Sequence, residues 1–534
     1  MIFRTSFAEN IFRAKYALNP GDTWWDMAVR VVDEVCLDHL STDDKDQLKS
    51  YISDMKFIPA GRYLRYAGRN RHFWNNCYCL RVEEDTREEW REVVWRALGC
   101  LMTGGGIGVD YSVIRPDKTP LSSGGVCSGP MSLMRMVNEA GREIMQGGAR
   151  RSAIYASLNW QHPDAGDFIH AKDWTKAIRS FKNQDYSFPA PLDMTNISIN
   201  YDDAFIKQCN GEAPYSWYEA MRQMLKTGEP GCSFNFGVNE NETLRNACCE
   251  ITSEDDSDVC NLGSVNMSRI KDIEEFKDVC YLASKFLVCG GLGAELPYQK
   301  VRTVRDKNRR IGLGLMGIHE WLLKEGSNYE VTPELEKWLY GWKNNSEAGA
   351  NDMSDRLSLN HPVKYRAIAP TGTIGIIAST TTGIEPVFAT AYKRRYFSPD
   401  GSWKYEYVVD ATADFLVQEY GLNPEKIETA YSLAVDPEKR IKFQYEVQKY
   451  VDHAISSTIN LPAWDTPQNN DDTVEDFADM LLKWAPGLRG ITVYPDGARG
   501  GQPLTEVPYE WARNKIGHIY DETEEKCAGG ICGI

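Results

Sequence analysis

The residues best able to do chemistry together lie in the segment Asn246-Ala-Cys248-Cys249-Glu250. In an extended loop, residues at alternate positions face the same side, so Asn246, Cys248 and Glu250 share one face. A thiol, a carboxylate and an amide that converge on one point suit a diol substrate, because they can exchange a hydrogen atom, take up a proton and hydrogen-bond hydroxyl groups. The residues alone leave open a second interpretation, a chance Cys-Cys loop without catalytic function.

A second candidate is the pair Cys527 and Cys532 in the glycine-rich end CAGGICG. A zinc site needs further soft ligands, which this tail does not offer, so the pair favours a disulfide-exchange arm over a zinc site. The protein has 14 cysteines. Because the N-terminal segment shows no signal-peptide pattern, we expect reduced, metal-bound or redox-active thiols and not a disulfide scaffold.

Gly312, Gly314 and Gly317 have the spacing G-x-G-x-x-G, which in a dinucleotide-binding fold follows a buried parallel strand. The residues just before them, RTVRDKNRR, are too strongly charged for such a strand. We therefore expect these glycines to allow close packing of a helix and not to bind a dinucleotide.

The elements that must position these residues fall into three regions. Residues 1–70 show the apolar spacing of helices, as in TWWDMAVRVVDEVCLDHL. Residues 71–510 alternate short apolar runs with helical stretches, for example CYCLRV and then REEWREVVWRALGCLM, which predicts an α/β layered or barrel domain. Residues 511–534 are acidic and then rich in Gly and Cys, and we expect them to form a flexible tail.

Composition excludes several classes of protein. The chain has 534 residues, with 60 Lys and Arg against 76 Asp and Glu, which gives a formal net charge of −16. An acidic surface repels a phosphate backbone, so we expect no nucleic-acid partner. No apolar stretch approaches the roughly 20 residues of a membrane span, so we expect no membrane partner and a cytoplasmic location, in the host cytoplasm if the chain is viral.

Several motifs together carry a family resemblance. In chain order they are GGVCSGP at 124–130, QGGARR at 146–151, NISI at 196–199, N-x-C-x-E at 246–250, CNLGS at 260–264, NRRIGLGLMG at 308–317, APTGTI at 369–374 and GITVYPDGAR at 490–499. With the CAGGICG tail, the chain closely resembles the catalytic (alpha) subunit of ribonucleotide reductase, most of all the adenosylcobalamin-dependent class. It is shorter than most members, and its N-terminal region does not resemble their ATP-binding cone.

The resemblance implies a ten-stranded α/β barrel with a central loop, the finger, that carries the radical cysteine. By resemblance, Cys248 is the thiyl radical that removes the 3′ hydrogen of a ribonucleotide. Glu250 takes the 3′-hydroxyl proton, and Asn246 hydrogen-bonds the substrate hydroxyls. The implied activity is the reduction of ribonucleotides to 2′-deoxyribonucleotides.

A reducing cysteine pair is also implied by the resemblance. Cys77 and Cys260 match the two cysteines that donate electrons and end as a disulfide. Cys79 competes with Cys77, because two residues further along a strand it points to the same face. The family's placement of the cysteine favours Cys77, and the family implies no role for Cys249.

Two loops resemble nucleotide-binding loops of the family. The substrate-binding residues implied are Ser128, Pro370, Thr371, Gly372, Thr373 and Ile374. Glycine lets the backbone approach a phosphate, and hydroxyl and amide groups bind it without a metal, so no metal ligand is expected; an ordinary Thr/Gly turn is the alternative. Gln146, Arg150 and Arg151 resemble the loop between substrate and a nucleoside triphosphate effector (dNTP or ATP), although the two arginines also fit plain surface charges.

The radical source has two candidates. Relatives with a separate ferritin-like di-metal subunit carry adjacent tyrosines, Leu-Tyr-Tyr, where this chain has Thr492-Val493-Tyr494. With a single tyrosine there, Tyr494 is the candidate for radical transfer, and the missing second one favours adenosylcobalamin as radical generator over a small partner subunit. The resemblance further implies a homodimer and a thioredoxin- or glutaredoxin-type reductant that acts through Cys527 and Cys532.

Two other functions compete with this interpretation. A glycyl-radical-type barrel enzyme would need a radical-glycine sequence, and the tail carries a cysteine pair instead. A non-catalytic nucleotide-binding regulator would not need Cys77, Cys248, Glu250 and Cys260 together. The sequence leaves open whether the substrate is a diphosphate or a triphosphate.

Overall fold

The computed structural model describes residues 2–146, 150–185, 188–397, 403–498 and 504–521. The α-helices are α1 Ser6–Lys15, α2 Trp24–Cys36, α3 Thr42–Ser53, α4 Gly61–Tyr66, α5 Arg87–Met102, α6 Gly129–Glu143, α7 Ala165–Ile169, α8 Lys176–Gln184, α9 Asp203–Cys209, α10 Tyr215–Thr227, α11 Ile273–Gly293, α12 Gln299–Asn308, α13 Ile318–Lys324, α14 Pro333–Arg356, α15 Gly372–Ala378, α16 Ala411–Tyr420, α17 Pro437–Gln448, α18 Val474–Trp484 and α19 Tyr509–Arg513. Within those ranges, no helix is both long and apolar enough to cross a membrane.

The strands of the same ranges complete the element order. They are β1 Phe57–Pro59, β2 Cys77–Arg81, β3 Gly106–Asp110, β4 Met145–Gln146, β5 Arg150–Arg151, β6 Ile154–Asn159, β7 Thr195–Tyr201, β8 Gly231–Phe234, β9 Leu244–Arg245, β10 Thr252–Ser253, β11 Asp258–Asn266, β12 Ile311–Met316, β13 Ala391–Phe397, β14 Trp403–Val409, β15 Thr458–Leu461, β16 Gly490–Pro495, β17 Leu504–Glu506 and β18 Ile519–Asp521.

A first half-barrel consists of β2, β3, β6, β7 and β8, each parallel to the next. Parallel neighbours need long crossover connections, and helices such as α5, α6 and α10 supply them. The strands are buried along most of their length, as expected when helices cover the outer face of a parallel sheet.

A second half-barrel runs antiparallel to the first and closes it. In this half β11 is parallel to β12 and β15 is parallel to β16, while β11 joins β2 and β16 joins β8 in antiparallel pairs. The gap between β12 and β15 is filled by residues 366–368, through parallel bridges of Arg366 with Leu313 and of Ile368 with Ile455. The ring of β2, β3, β6, β7, β8, β16, β15, segment 366–368, β12 and β11 is the predicted ten-stranded barrel, and β1 additionally pairs with β11.

The finger is a hairpin between β8 and β11. Its two short strands, β9 and β10, pair antiparallel, with Arg245 opposite Thr252. The finger lies against β3, where a side chain at Gly108 would come within 1.9 Å of the Arg245 carbonyl oxygen and one at Gly106 within 2.8 Å of the Ala247 methyl group. Glycine at these two positions therefore lets the hairpin pass close to the barrel wall.

Two of the three glycines of the G-x-G-x-x-G motif pack strands and not a helix, which corrects the expectation from sequence, and the third, Gly317, is the N-cap of α13. Gly312 and Gly314 lie within β12, where added Cβ atoms would meet the Leu262 side chain at 2.4 Å and the Ala367 carbonyl oxygen at 2.6 Å. They allow β12 to lie close to both of its barrel neighbours. The charged residues before them form α12.

Two large apolar clusters fill the protein. One joins the N-terminal helices α1–α4 to α11, α14 and β12, and the other fills the space between the first half-barrel and its helices. Outside the barrel, β17, β13, β14 and β18 form an antiparallel sheet in that order. The domain limits at residues 70 and 510 stay predictions, and Cys527 and Cys532 lie outside the described residues.

Candidate active site

Strand register places two cysteines opposite each other. Cys77 is the first residue of β2, and in the antiparallel pair with β11 its partner is Cys260. Directly opposed residues of such a pair have Cα atoms about 4.5–5.5 Å apart, within the range that a disulfide spans. Both thiols are free, and both residues are buried. The geometry therefore allows Cys77 and Cys260 to alternate between dithiol and disulfide.

The finger brings an amide and a carboxyl group to this pair. The Asn246 side-chain N–H group donates to Cys77 Sγ at 2.8 Å, and the Cys77 thiol donates to Glu250 Oε1 at 3.6 Å. The side-chain oxygen of Asn246 accepts a hydrogen bond from the Ile251 backbone at 2.9 Å, which fixes the amide orientation. The predicted residues Asn246, Glu250 and Cys77 are thus in contact.

The tip of the finger is a turn and not the extended loop expected from sequence. The Cys249 backbone N–H donates to the Asn246 carbonyl at 3.0 Å, and Cys249 has a φ of 66°. Asn246 and Glu250 converge because the chain folds back on itself. Cys248 is half-buried at the turn, close enough to Cys77 to contribute to the raised pKa of the Cys77 thiol, after burial and Glu250.

Burial controls the ionisation of these groups. It raises the pKa of Cys77 and of Cys260 well above the usual value for a thiol, and it also raises the pKa of Glu250. Among the described contacts, the second carboxyl oxygen of Glu250 has no hydrogen-bond partner. A buried carboxyl with one unpaired oxygen beside a thiol pair is suited to exchanging a proton with a substrate.

Cys79 occupies a different position from Cys77. It is buried on the same strand, but its partner across the antiparallel pair is Asp258 and not Cys260. Burial, and after it the nearby Asp258 charge, raises the pKa of its thiol. Only Cys77 of the two lies directly opposite Cys260.

The segment 370–374, which includes the end of the loop before α15 and the first residues of that helix, has an open backbone at which an anion can bind. Thr371 has a φ of 48°, and its hydroxyl accepts a hydrogen bond from the Gly383 backbone at 2.9 Å. Gly372 is exposed, and apart from its chain neighbours and the backbone of its own helix no atom of the described residues lies within 4 Å of where its Cβ would be. Of the other residues predicted in this loop, Pro370 is exposed, Thr373 is half-buried and Ile374 is buried.

The remaining predicted residues are spread around the barrel. Ser128 is exposed and precedes α6. Gln146 and Arg150 pair across the two-stranded β4–β5 sheet, which also contains Arg151. Tyr494 is half-buried on β16, opposite Asn460 of β15.

Sequence reasoning missed a group of ionisable side chains at the base of the finger. Its members are Glu242, Arg245, Asp258, Arg310, Lys364, His453 and Arg489. They come from six separate segments of the chain, so no local spacing marks them. Only folding brings them together.

A closed α/β barrel with an internal thiol-and-carboxylate finger beside a cysteine pair defines an enzyme of thiol-based redox chemistry. The family model described as the barrel domain of ribonucleotide reductase matches residues 75–213, 199–337 and 363–494, and the chain belongs to this family. The match covers most of both half-barrels, the finger and the loop before α15.

Individual proteins agree with this assignment. The chain is 26% identical to the vitamin B12-dependent ribonucleoside-diphosphate reductase of Mycobacterium tuberculosis H37Rv, over 91% of this chain and 75% of the relative. It is 26% identical to the protein of the same name from Thermoplasma acidophilum, over 86% of this chain and 66% of the relative. The class Id ribonucleotide reductase alpha subunit of Actinobacillus ureae has the same fold, with a TM-score of 0.73 at 15% identity, over 92% of this chain and 97% of that one.

These comparisons confirm the predicted family, the barrel fold and the activity of a ribonucleotide reductase. They do not favour a glycyl-radical-type enzyme or a non-catalytic regulator. The roles of single residues and the cytoplasmic location stay predictions.

Proposed function

We propose that the finger performs the radical step of ribonucleotide reduction. The Cys248 thiyl takes the 3′ hydrogen atom of the ribose, and Glu250 accepts the 3′-hydroxyl proton, which promotes loss of the 2′ hydroxyl as water. Asn246 hydrogen-bonds the substrate hydroxyls and holds the Cys77 thiol. The observation that carries this proposal is the contact of Asn246 and Glu250 with a cysteine that faces Cys260 in register.

Cys77 and Cys260 supply the reducing equivalents. Each thiol gives up one hydrogen, counted as a proton and an electron, and one S–S bond forms. The 2′ hydroxyl leaves as water, and Cys248 recovers its radical when the 3′ hydrogen returns to the substrate. One ribonucleotide and two thiols thus give one deoxyribonucleotide, one disulfide and one water.

We assign the substrate phosphates to Ser128 and to the loop from Pro370 to Ile374. The open space beside Gly372 and the left-handed conformation of Thr371 support close approach of phosphate oxygens to the backbone. Both ribonucleoside diphosphates and triphosphates should be assayed, because this loop provides no feature that selects one of them.

Adenosylcobalamin is the radical generator that we favour. Cys248 is half-buried while Cys77, Cys260 and Glu250 are buried, so Cys248 is the group of this site that a large cofactor can approach. The names of the relatives from M. tuberculosis and T. acidophilum include vitamin B12 dependence. When bound, the cofactor supplies the one-electron oxidation that converts the Cys248 thiol to a thiyl.

We further propose a homodimer that binds a nucleoside triphosphate effector near Gln146, Arg150 and Arg151. Helix α5 exposes Trp95 and Met102, which lie on one helix face, at 54% and 69% of their surface. Large exposed apolar side chains at such spacing are typical of a subunit interface. Light scattering with and without dATP measures the subunit association, and replacing Trp95 and Met102 with Lys should yield monomers.

Cys527 and Cys532 would carry electrons from a thioredoxin-type protein to the buried pair. Cys77 and Cys260 are buried, so a protein reductant cannot reach them directly. Replacing both tail cysteines with Ser should leave a single turnover of pre-reduced enzyme intact and remove most thioredoxin-driven turnover. A small dithiol should restore part of it, whereas full thioredoxin-driven turnover would refute the shuttle role.

The proposed function is tested by anaerobic turnover of the purified chain with dithiothreitol, with and without adenosylcobalamin. We expect deoxyribonucleotide to form only with the cofactor, together with a change in the corrinoid absorption spectrum. Product that forms only after addition of a di-metal partner protein would assign the radical to a small subunit instead. The Cys248→Ser variant is the matched control for thiol-independent product.

A further inference from the structure

The base of the finger is held by a buried ion cluster centred on Glu242 and Lys364. Both side chains are 12% exposed, and they form a salt bridge. Neither residue belongs to a motif of the resemblance, and neither contacts the cysteine pair. Their contacts nevertheless lead to the finger from two directions.

The first direction runs through Glu242 to the second strand of the finger. Glu242 Oε2 accepts hydrogen bonds from the Thr252 hydroxyl at 3.0 Å and from Arg489 at 2.9 Å, in addition to Lys364. Thr252 belongs to β10, and Arg489 directly precedes β16. One carboxylate oxygen therefore joins the finger to the barrel wall.

The second direction runs through the segment 452–454, which precedes β15. Lys364 donates to the Asp452 carbonyl oxygen at 2.6 Å, and the Thr252 backbone donates to His453 Nδ1 at 3.2 Å. The Ala454 backbone N–H then donates to the carbonyl oxygen of Glu250 at 2.9 Å. Lys364 is thus linked through one short segment to the backbone of the proposed base.

The Lys364 ammonium group is largely buried, so folding removes most of the water that would otherwise stabilise its charge. Burial, and after it the Arg489 charge, lowers the pKa of Lys364 to about 8. In the same cluster the charges of Lys364 and Arg489 lower the pKa of Glu242 to about 2, although burial alone would raise it. Burying a cation costs free energy, so a cation at this position, with this set of contacts, points to a functional role in addition to packing.

We propose that Lys364 is a positioning residue of the reductase, which holds the finger so that Glu250 and Cys248 stay at the reacting positions. Its ammonium ties Glu242, Thr252 and the Asp452 carbonyl together, and these groups fix both the second strand of the finger and the backbone of Glu250. The inference rests on the proposed roles of Cys248 and Glu250.

If Lys364 positions the finger through its charge, the reaction rate should fall when Lys364 loses its proton. A role in packing alone would not produce this pH dependence. The titratable groups that face Lys364 are Glu242, Arg310, His453 and Arg489, and Asp452 meets it through its backbone carbonyl oxygen. The pKa of Glu242 is about 2 and that of Arg489 about 10, and burial holds the pKa of His453 well below its usual value. A loss of rate near pH 8 therefore belongs to Lys364 when Lys364→Arg removes it.

The test compares Lys364→Met, Lys364→Arg and Glu242→Gln with Lys337→Met, which changes an exposed lysine of α14. The rate is that of a single turnover of pre-reduced enzyme between pH 6.5 and 9.5, so that the tail thiols do not contribute. We expect Lys364→Met and Glu242→Gln to lower this rate about 10- to 100-fold with little change in KM, as a small misplacement of reacting groups does. Lys364→Arg should keep the rate and shift its alkaline fall upward, and Lys337→Met should match the wild type.

A second measurement follows the finger itself. The rate of Cys248 alkylation by N-ethylmaleimide, read by peptide mass spectrometry, should rise severalfold in Lys364→Met and stay unchanged in Lys364→Arg. Circular dichroism melting verifies that each variant is folded, and if Lys364→Met does not fold, Glu242→Gln provides both measurements. A folded Lys364→Met enzyme with the wild-type rate, pH profile and alkylation would overturn the proposal. If Cys248→Ser retains turnover, the proposed function fails instead, and the alkylation result still reports on finger position.

Discussion

The tip and the base of the finger lie in one hairpin, yet the carboxyl group at each end has its pKa shifted in the opposite direction. At the tip, burial raises the pKa of Glu250. At the base, Lys364 and Arg489 hold the pKa of Glu242 at about 2 despite burial. The pKa values of two glutamates eight positions apart are thus shifted in opposite directions, by burial at Glu250 and by neighbouring cations at Glu242.

The difference follows from the chemistry of the nearest groups. Glu250 contacts a neutral thiol and lies beside a neutral amide, whereas Glu242 accepts hydrogen bonds from two cations. A carboxyl with a raised pKa binds a proton more tightly once it accepts one from a substrate, while a carboxyl with a pKa of about 2 stays an anion and acts as an anchor. The hairpin therefore separates the end that reacts from the end that holds it in place.

The largest effect should come from Cys248 at the tip. Cys248→Ser keeps the shape of the side chain, but an O–H bond is too strong to relay a hydrogen atom. We expect turnover to fall more than a hundredfold, equivalent to about 2.7 kcal/mol, with substrate binding retained in equilibrium dialysis. Cys209→Ser, on α9 away from the site, is the control. Deoxyribonucleotide formation above about one per cent of wild type would contradict the assignment.

Glu250→Gln tests whether the tip carboxyl acts as a base. We expect turnover to drop about 10²- to 10⁴-fold, because the amide cannot accept the proton. The same substitution should increase the free energy of unfolding at high pH, although it lowers turnover. Because the native pKa is raised, the wild type loses stability as pH rises from 4.5 through that native pKa, and Gln removes this loss. Urea unfolding at pH 4 and pH 8 should show the variant gaining relative to wild type only at the higher pH.

Cys77→Ser and Cys79→Ser form a matched pair on one buried strand. Only Cys77 faces Cys260, so its loss should lower multiple turnover at least tenfold, about 1.4 kcal/mol, while Cys79→Ser should stay within about threefold. Turnover is measured with dithiothreitol, and the Cys77–Cys260 disulfide is sought by mass spectrometry after one turnover. A Cys79–Cys260 disulfide in the wild type would reverse the assignment.

Tyr494→Phe should have the smallest effect. If adenosylcobalamin oxidises Cys248 directly, loss of the phenol hydroxyl should change the rate less than about twofold. Phenylalanine keeps the packing of the ring on β16, so the free energy of unfolding should not change. The measurement is therefore the rate of turnover. A complete loss of turnover would indicate radical transfer through Tyr494 from a partner subunit.

Some features of the site were readable in the sequence. The types and spacing of Asn246, Cys248 and Glu250 indicated a thiol, an amide and a carboxyl group working together, because three residues so close along the chain must stay close in any fold. Alternating apolar runs and helical stretches predicted the α/β architecture, since each periodicity reports how one local segment meets the core. The motif resemblance then supplied Cys77 and Cys260 as partners.

The tertiary structure alone decided other features of the site. Residue spacing alone could not separate Cys77 from Cys79, because alternate residues of a strand share a face. The resemblance favoured Cys77, and the register with β11 places Cys77 and not Cys79 opposite Cys260. The extended finger predicted from spacing is a turn, and Gly312 and Gly314 pack strands, because distant segments and not local pattern determine those contacts.

Lys364 and Glu242 illustrate the limit most clearly. They are 122 positions apart, and no periodicity links them, yet the closed barrel brings them into a salt bridge beneath the finger. Sequence by itself determined which chemical groups this protein carries and the class of fold that holds them. The pKa of each group depends on burial and on neighbours that come from remote segments, so only the folded barrel decided in which direction each pKa is shifted.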